Sequence, residues 1–208
     1  MEKPLSEMTT EELWKLFPVI LREHNPCYPE WYEGERENIL KTLSENVVRI
    51  SHIGSSAVAR LTSKPTVDIL LEMGETSDIA QVTEDLQAGG WTLMSRQERP
   101  VMKLALNKGY MPQGFAEKVF HLHVRFFGDW DELYFRDYLI AHPEAAAEYG
   151  KLKRRLQRQY PHNRDAYTEG KTEFVLKVSR LAKEAFPGRY RPGSGSRMTA
   201  LGGERVRR

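Results

Sequence analysis

Apolar positions along the chain switch between a helical and a strand period, and the switches mark out the elements. Leu13, Leu16, Phe17, Ile20 and Leu21 fall on one helical stripe behind Thr9 and Glu12, which have capping-box spacing. Asn25, Pro26 and Pro29 break the chain before a second helix that turns Trp31, Ile39, Leu40 and Leu43 inward. Residues 47–53 are rich in β-branched side chains and read as a strand, ended by a tight turn at Gly54-Ser55-Ser56. One helical turn is expected at 57–61, and Lys64-Pro65 opens a second strand over 66–72. A helix carrying Ile79, Val82 and Leu86 stops at Gly89-Gly90, and strands follow at 91–94 and 101–106. Residues 107–118, with Gly109, Pro112 and Gly114, read as a surface loop long enough to border a site.

The clearest alternation is at 119–126. Phe120, Leu122, Val124 and Phe126 share one face; Val119, His121, His123 and Arg125 share the other. Beyond it the pattern is helical. Asp129 and Glu132 have capping-box spacing ahead of Leu133, Phe135, Tyr138 and Leu139. Within that helix Arg136 and Asp137 point about 100° apart, so Arg136 is expected to bond a partner elsewhere. Pro143 suits the first turn of the next helix, whose Lys151, Lys153, Arg154, Arg155 and Arg158 read as a solvated basic face. A last helix holds Tyr167, Phe174, Val175, Val178, Leu181 and Ala185.

Strands alternating with helices predict an α/β fold: a small mixed sheet with flanking helices and a helical C-terminal half. A chain of 208 residues, 40% hydrophobic and 29% charged, holds one ordinary domain. The expected organisation is a helical extension at 1–24, the domain at 25–187, and a flexible Arg/Gly-rich tail at 188–208. The formal net charge of +2 misleads about partners. The tail has six arginines against Glu204 alone, a net +5, which leaves residues 1–187 at −3. A mildly acidic body whose basic helix lacks interleaved aromatics argues against a nucleic-acid partner. One cysteine, Cys27, excludes an internal disulfide framework and a four-cysteine zinc site. No apolar run approaches membrane-span length, and residues 1–12 lack the apolar core of a signal peptide, so a cytoplasmic protein without a membrane partner is expected.

Candidate chemistry gathers where the first strand meets the second. Gly54 lets backbone approach a ligand closely, and backbone N–H groups with the hydroxyls of Ser55 and Ser56 can hold phosphate oxygens. Twelve residues separate Ser55 from Asp68, a carboxylate set among Val67, Ile69, Leu70 and Leu71. A charge in such a strand is costly unless paired, which marks Asp68 as a site residue. This order of strand, Gly-Ser turn and strand-borne carboxylate resembles the signature of the nucleotidyltransferase superfamily.

The resemblance to one branch is closer, and the chain is identified as similar to the GrpB family, bacterial proteins of nucleotidyltransferase-like fold. The family's His-Ile-Gly-Ser-Thr-Ala-Val matches residues 52–58, its Lys-Pro matches Lys64-Pro65, and its Asp-Ile matches Asp68-Ile69. Further matches lie at 120–124, 133–139, 141–144 and 170–174, covering most of 25–186 in order. Ser56 replaces the usual threonine, and Ala59-Arg60 stand where the family has Pro-Gly. The resemblance implies a nucleotide or phosphate-bearing small molecule gripped by Gly54, Ser55 and Ser56. Lys64, Arg125 or Lys171 would neutralise phosphate charge, and Asp68 would hold Mg²⁺ or Mn²⁺ while a nucleotidyl group passes to a small acceptor. The carboxylate set for that catalysis is incomplete: Leu70 stands where a second is expected, and Glu72 lies one pleat further. The later strand offers His121 and His123, which with Asp68 would suit a single Zn²⁺, Mn²⁺ or Fe²⁺. Two further readings stay open: a non-catalytic nucleotide- or coenzyme-binding module, since some relatives are fused to dephospho-CoA kinase, and a regulatory protein-interaction module.

Overall fold

The computed structural model describes residues 4–43, 47–193 and 203–205. Helix α1 (Thr10–Leu16) is short, and its predicted capping box forms reciprocally between Thr9 and Glu12. Pro18 ends the helix early. Phe17 is therefore free to bury its ring against Tyr110 and Phe115, at centroid distances of 4.8 and 5.0 Å. Arg22 bridges Ser63 through paired backbone bonds of 2.9 and 3.0 Å, which ties the extension to the domain.

The remaining elements are α2 (Tyr28–Leu43), β1 (Val47–Ile53), β2 (Val67–Met73), α3 (Ile79–Ala88), β3 (Thr92–Gln97), β4 (Lys103–Met111), β5 (Gly114–Phe126), α4 (Asp131–Ala141), α5 (Pro143–Gln159), α6 (Arg164–Glu169), α7 (Thr172–Ala185) and β6 (Gly203–Arg205). The sheet order is β3-β4-β5-β2-β1-β6, with β2 and β5 parallel and the other pairs antiparallel. The predicted mixed α/β sheet is thus the observed fold. No helix among the described residues is long and apolar enough to cross a membrane.

Strand alternation divides the sheet into two faces. On one, Ile50, Ile69, Leu71, Leu104, Leu122 and Val124 pack against Tyr28, Tyr32 and Ile39 of α2 and Val82 and Leu86 of α3. On the other lie Ile53, Asp68, Leu70, Glu72, His121, His123 and Arg125, by the register of β1, β2 and β5. Leu133 of α4 covers Ile53 and Leu70 there. Helices α4, α5 and α7 form a second core around Phe135, Leu139, Ala146, Tyr149 and Val178, which clamps the 58–61 segment through Val58 and Leu61.

Four expectations change. The loop at 107–118 is a hairpin: β4 runs to Met111, Pro112 and Gln113 turn, and β5 starts at Gly114. Gly109, at φ +89°, sits at a register shift where an added Cβ would strike the Lys118 carbonyl at 2.3 Å. The Asp129–Glu132 capping box does not form; α4 starts at Asp131, and Asp129 accepts from the Tyr134 hydroxyl at 2.6 Å. Arg136 curls back on Asp137 with bonds of 2.9 and 2.7 Å, because a long guanidinium side chain can span the angle between adjacent residues, and it also donates to the His52 carbonyl at 3.0 Å. The domain boundary at 187 moves outward. Arg189 donates to Asp137 at 2.7 Å, and Tyr190 packs edge-on to Tyr134 at 5.1 Å with its hydroxyl on Asp137. The start of the supposed flexible tail is therefore docked on α4. Residues 194–202 and 206–208 lie outside the described residues.

Candidate functional site

At the end of β1 the chain must turn without colliding with β2. Gly54 achieves this at φ +68° and ψ −165°, a region open essentially to glycine alone. An added Cβ would lie 2.5 Å from Asp68 Oδ2, so glycine is required for the turn to sit against the carboxylate. Ser55 then opens a single 3-10 turn, Ser55–Ala57. The turn, the start of β2 and helices α4 to α7 enclose a cavity of about 140 Å³. Gly54, Ser55, Lys64, Asp68, Lys153 and Lys171 line it, with Tyr149, Tyr167 and Phe135 forming the aromatic part of the wall.

Asp68 is held by a relay. His121 Nδ1 lies 3.2 Å from Asp68 Oδ1, and the Tyr110 hydroxyl lies 2.7 Å from His121 Nε2. Arg164 Nη2 donates to that hydroxyl at 3.0 Å. Burial lowers the His121 pKa, although Asp68 pulls it up, so the ring is neutral at physiological pH. An ionised carboxylate only accepts, so Nδ1 carries the proton, Nε2 accepts from Tyr110, and the Tyr110 oxygen accepts from Arg164. Burial pushes the Asp68 pKa up, but the His121 hydrogen bond, the charges that His121 and His123 acquire in the acid range where Asp68 titrates, and Lys64 outweigh it and bring it to about 2. Asp68 is therefore a fixed anion.

The cations respond oppositely. Burial, then repulsion from Lys171 and Arg164, lowers the Lys64 pKa to about 8. Burial, then Lys171, lowers Lys153 to about 7. Lys171 is lowered by burial too, with Asp68 opposing. Three amines thus crowd one cavity whose only lining carboxylate among the described residues is Asp68, and the Arg164 charge reaches Lys64 and Lys171. Like charges this close are stabilised by an anion between them.

The structure brings together Gly54, Ser55, Lys64, Asp68 and Lys171 of the predicted set, with His121 joining through Asp68. Ser56 stands aside: its hydroxyl is buried at 3.0 Å from His52 Nε2, and His52 stacks on Tyr32. Arg125 is also outside the cavity. Its guanidinium donates to the Leu104 and Val124 carbonyls at 3.2 and 2.9 Å and lies 3.7 Å from Glu132. Strand register explains this: Arg125 pairs with Glu72, two pleats from the Asp68–His121 pair, with His123 one pleat along beside Leu70.

A resident metal is poorly served by these donors. Among the described residues no three His, Cys, Asp or Glu side chains gather as a metal set, so Asp68, His121 and His123 do not form the expected cluster. Glu72 cannot serve as a second carboxylate. It is fully buried, binds Arg49 through both oxygens, and accepts from the Gly128 N–H at 3.1 Å. Arg49 is in turn covered by the rings of Phe127 and Tyr190 at 4.9 and 5.1 Å.

Sequence reasoning missed Lys153, Tyr149, Tyr110 and Arg164. Lys153 is the largest omission. It was assigned to a solvated face yet is 3% exposed, donating to Ser55 Oγ at 2.9 Å and to the Thr62 carbonyl. Its signal was the stripe Ala146, Tyr149, Gly150, Lys153 and Leu156, a lysine placed on the buried face of α5.

Comparison with known proteins agrees with the fold. Residues 18–180 match a family model described as GrpB protein. UPF0157 protein YqkA of Bacillus subtilis is 30% identical over 169 residues, 80% of this chain and 48% of that protein. A UPF0157 protein of Pseudomonas aeruginosa is 34% identical over 155 residues, 74% of this chain and 63% of that protein. The chain thus spans about half to two-thirds of the length of these two relatives. The crystal structure of conserved protein GrpB from Enterococcus faecalis superposes with a TM-score of 0.71 at 28% identity, covering 80% of this chain and 99% of that one. A weaker likeness, TM-score 0.47 at 13% identity over 78% of this chain and 55% of the other, is to terminal uridylyl transferase 4 from Trypanosoma brucei with bound dUTP.

Proposed function

The chain belongs to the GrpB family, and for this member we propose that the cavity at Gly54 and Ser55 binds the phosphate end of a small molecule, a nucleotide or coenzyme being the class it suits. One observation carries the reading: the amines of Lys64, Lys153 and Lys171 line a cavity of about 140 Å³ whose only lining carboxylate among the described residues is Asp68, and the Arg164 charge acts on Lys64 and Lys171 from behind it. The volume suits one phosphate group, so the rest of the ligand extends past the cavity mouth. Backbone at the Gly54 turn and the Ser55 hydroxyl supply hydrogen bonds, and the amines supply charge.

Nucleotidyl transfer with two metal ions asks for several carboxylates. Among the described residues the cavity offers only Asp68, which falls short of that need, because Glu72 is committed to Arg49. A divalent ion therefore takes part only as one carried in on the phosphates, with Asp68 as its protein carboxylate. Binding is the activity the donors support best. A nucleotide ligand and a lone exposed Cys27 suit a cytoplasmic setting.

Calorimetric titration with inorganic phosphate, each nucleoside triphosphate and coenzyme A, with and without Mg²⁺, tests the reading. Binding that survives removal of Mg²⁺ and weakens about tenfold or more in Lys171→Met is expected, since a desolvated charge-assisted contact contributes about 1.5–3 kcal/mol. Absence of binding by every phosphate compound would sink the proposal.

A further inference from the structure

Phosphate binding leaves part of the Ser55 geometry unused. Ser55 Oγ lies 2.9 Å from Lys153 Nζ, and the Tyr149 hydroxyl hydrogen-bonds to the same serine. The Lys153 amine is enclosed by the Thr62 carbonyl and by the Tyr149 ring, 4.6 Å from its centroid. Burial and the neighbouring Lys171 bring its pKa to about 7, so at neutral pH much of it is a free base. A lysine this close to a hydroxyl is a known way to activate a serine. The glycine-only conformation of Gly54 sets Ser55 at the tip of the turn, its hydroxyl facing the cavity that Lys64 and Lys171 also line.

We propose that Ser55 is a nucleophile with Lys153 as its general base, and that its electrophile is the carbonyl carbon of a carboxylic–phosphoric mixed anhydride. This rests on the phosphate-binding reading, since the phosphate half of the anhydride occupies the cationic cavity. A lone pair of Ser55 Oγ forms the bond to the carbonyl carbon. The bond from that carbon to the bridging oxygen breaks, and phosphate leaves with the electron pair. The serine proton goes to Lys153 Nζ. Charge that develops on the departing phosphate is met by Lys64 and Lys171. Lys153 passes that proton to the oxygen of the departing phosphate, which restores the free amine. The product is an ester on Ser55, which water or a second acceptor, deprotonated in turn by Lys153, releases. Attack on phosphorus would call for metal ions and the carboxylates to hold them. Acyl transfer with a phosphate leaving group needs a base and cations, and those are the groups the cavity holds.

The test uses the whole chain and acetyl phosphate at about pH 8 with a chelator present, acid-quenched for intact mass and peptide mapping. Binding of inorganic phosphate is measured in parallel by calorimetry. One acetyl group is expected, on Ser55, released by alkaline hydroxylamine. It should be absent in Ser55→Ala and about a hundredfold slower to form in Lys153→Met, the size of a general-base contribution. Lys153→Met keeps the chain length and packing, and its melting curve checks that it folds; if it does not, mapping on the wild type and Ser55→Ala decides. An acetyl group on Lys153 as a hydroxylamine-stable amide would overturn the proposal, because the amine would then be the nucleophile. Acetylation scattered over surface lysines with none on Ser55 would overturn it too. Phosphate binding without any Ser55 ester would end the nucleophile reading and leave the binding reading intact; failure of both would end both.

Discussion

Replacing Gly54 with alanine perturbs the contact between the turn and Asp68. At φ +68° and ψ −165° a residue with a side chain pays about 1–3 kcal/mol in backbone strain. The new Cβ would also lie 2.5 Å from Asp68 Oδ2 and 3.0 Å from its Cγ. The carboxylate is not free to swing aside, because its other oxygen accepts from His121 Nδ1 at 3.2 Å. Losing that charge-assisted bond costs about 1.5–3 kcal/mol, and the 26% exposure of the Asp68 side chain holds it to the low end. Together the terms put Gly54→Ala at about 3–4 kcal/mol of destabilisation in urea unfolding at neutral pH. Gly34→Ala is the control. It lies in α2 with nothing within 4 Å of its added Cβ, and should gain about 0.5–1 kcal/mol from helix propensity. In an Asp68→Ala background the contacts with Oδ2 and Cγ are gone and only the Cβ of residue 68, 3.1 Å away, remains, so Gly54→Ala should cost less there, about 1–3 kcal/mol. A Gly54→Ala protein within about 0.5 kcal/mol of wild type would refute the argument. Equal costs in both backgrounds would remove the contact with Asp68 from it.

Glu72→Gln leaves Arg49 buried without its counter-charge, and should cost about 3–5 kcal/mol in urea unfolding while phosphate affinity stays within about twofold of wild type. Lys153 and Lys64 have folded pKa values of about 7 and about 8, below the unfolded value of 10.5. Between those limits the unfolded chain binds more protons, so in phosphate-free buffer the melting temperature should rise from about pH 7 to about pH 9. Lys153→Met should flatten that rise, and an unchanged slope in the variant would remove Lys153 as its source. Asp68 has the opposite sign: its folded pKa of about 2 lies below the ordinary 3.8, so its contribution is complete above about pH 4 and is lost as pH falls toward about 2. Truncation after Pro187 removes the Tyr190 ring from Tyr134 and two bonds from Asp137, and should cost about 2–4 kcal/mol by urea unfolding.

Elements whose apolar period matched their burial were legible from the sequence. The stretch at 47–53 is β1 to the residue, α3 stops at Gly89 as expected, and Pro143 opens α5. The hairpin of β4 and β5 was not legible, because Gly109, Pro112 and Gly114 count as loop residues in any composition reading. In the structure they are the punctuation of two paired strands: a bulge at Gly109 and a turn at Pro112 and Gln113. The cost of that misreading was Tyr110, which the bulged strand carries to His121. The docked start of the tail was hidden for a different reason. Arg189 and Tyr190 pack through a hydrogen-bonded network on Asp137, and such a network has no periodicity to detect.

The candidate site divides along the same line. Gly54, Ser55, Lys64 and Asp68 lie within one supersecondary unit, so spacing alone could place them near each other. Lys153 meets Ser55 across 98 residues of sequence, a contact that only tertiary packing creates. Its position was still marked, because a lysine on the stripe of Ala146, Tyr149, Gly150 and Leu156 must either snorkel out or find a buried partner. Reading α5 by the sign of its charges hid this; reading it by which face each charge occupies exposes it. Lys151, Arg155 and Arg158 lie off that stripe, while Lys153 points inward to Ser55 and the Thr62 carbonyl. The net charge of the chain therefore says little about its ligand. The relevant charge is local: three amines lining one cavity, under the influence of a nearby guanidinium, on a body whose overall charge is negative. A body of that sign repels anions at long range and, at physiological salt, is screened beyond about 8 Å. On the phosphate-binding proposal an anionic ligand would be selected inside the cavity, by desolvated amines at short range, and raising the salt concentration should weaken its binding far less than it would weaken binding to an exposed basic patch.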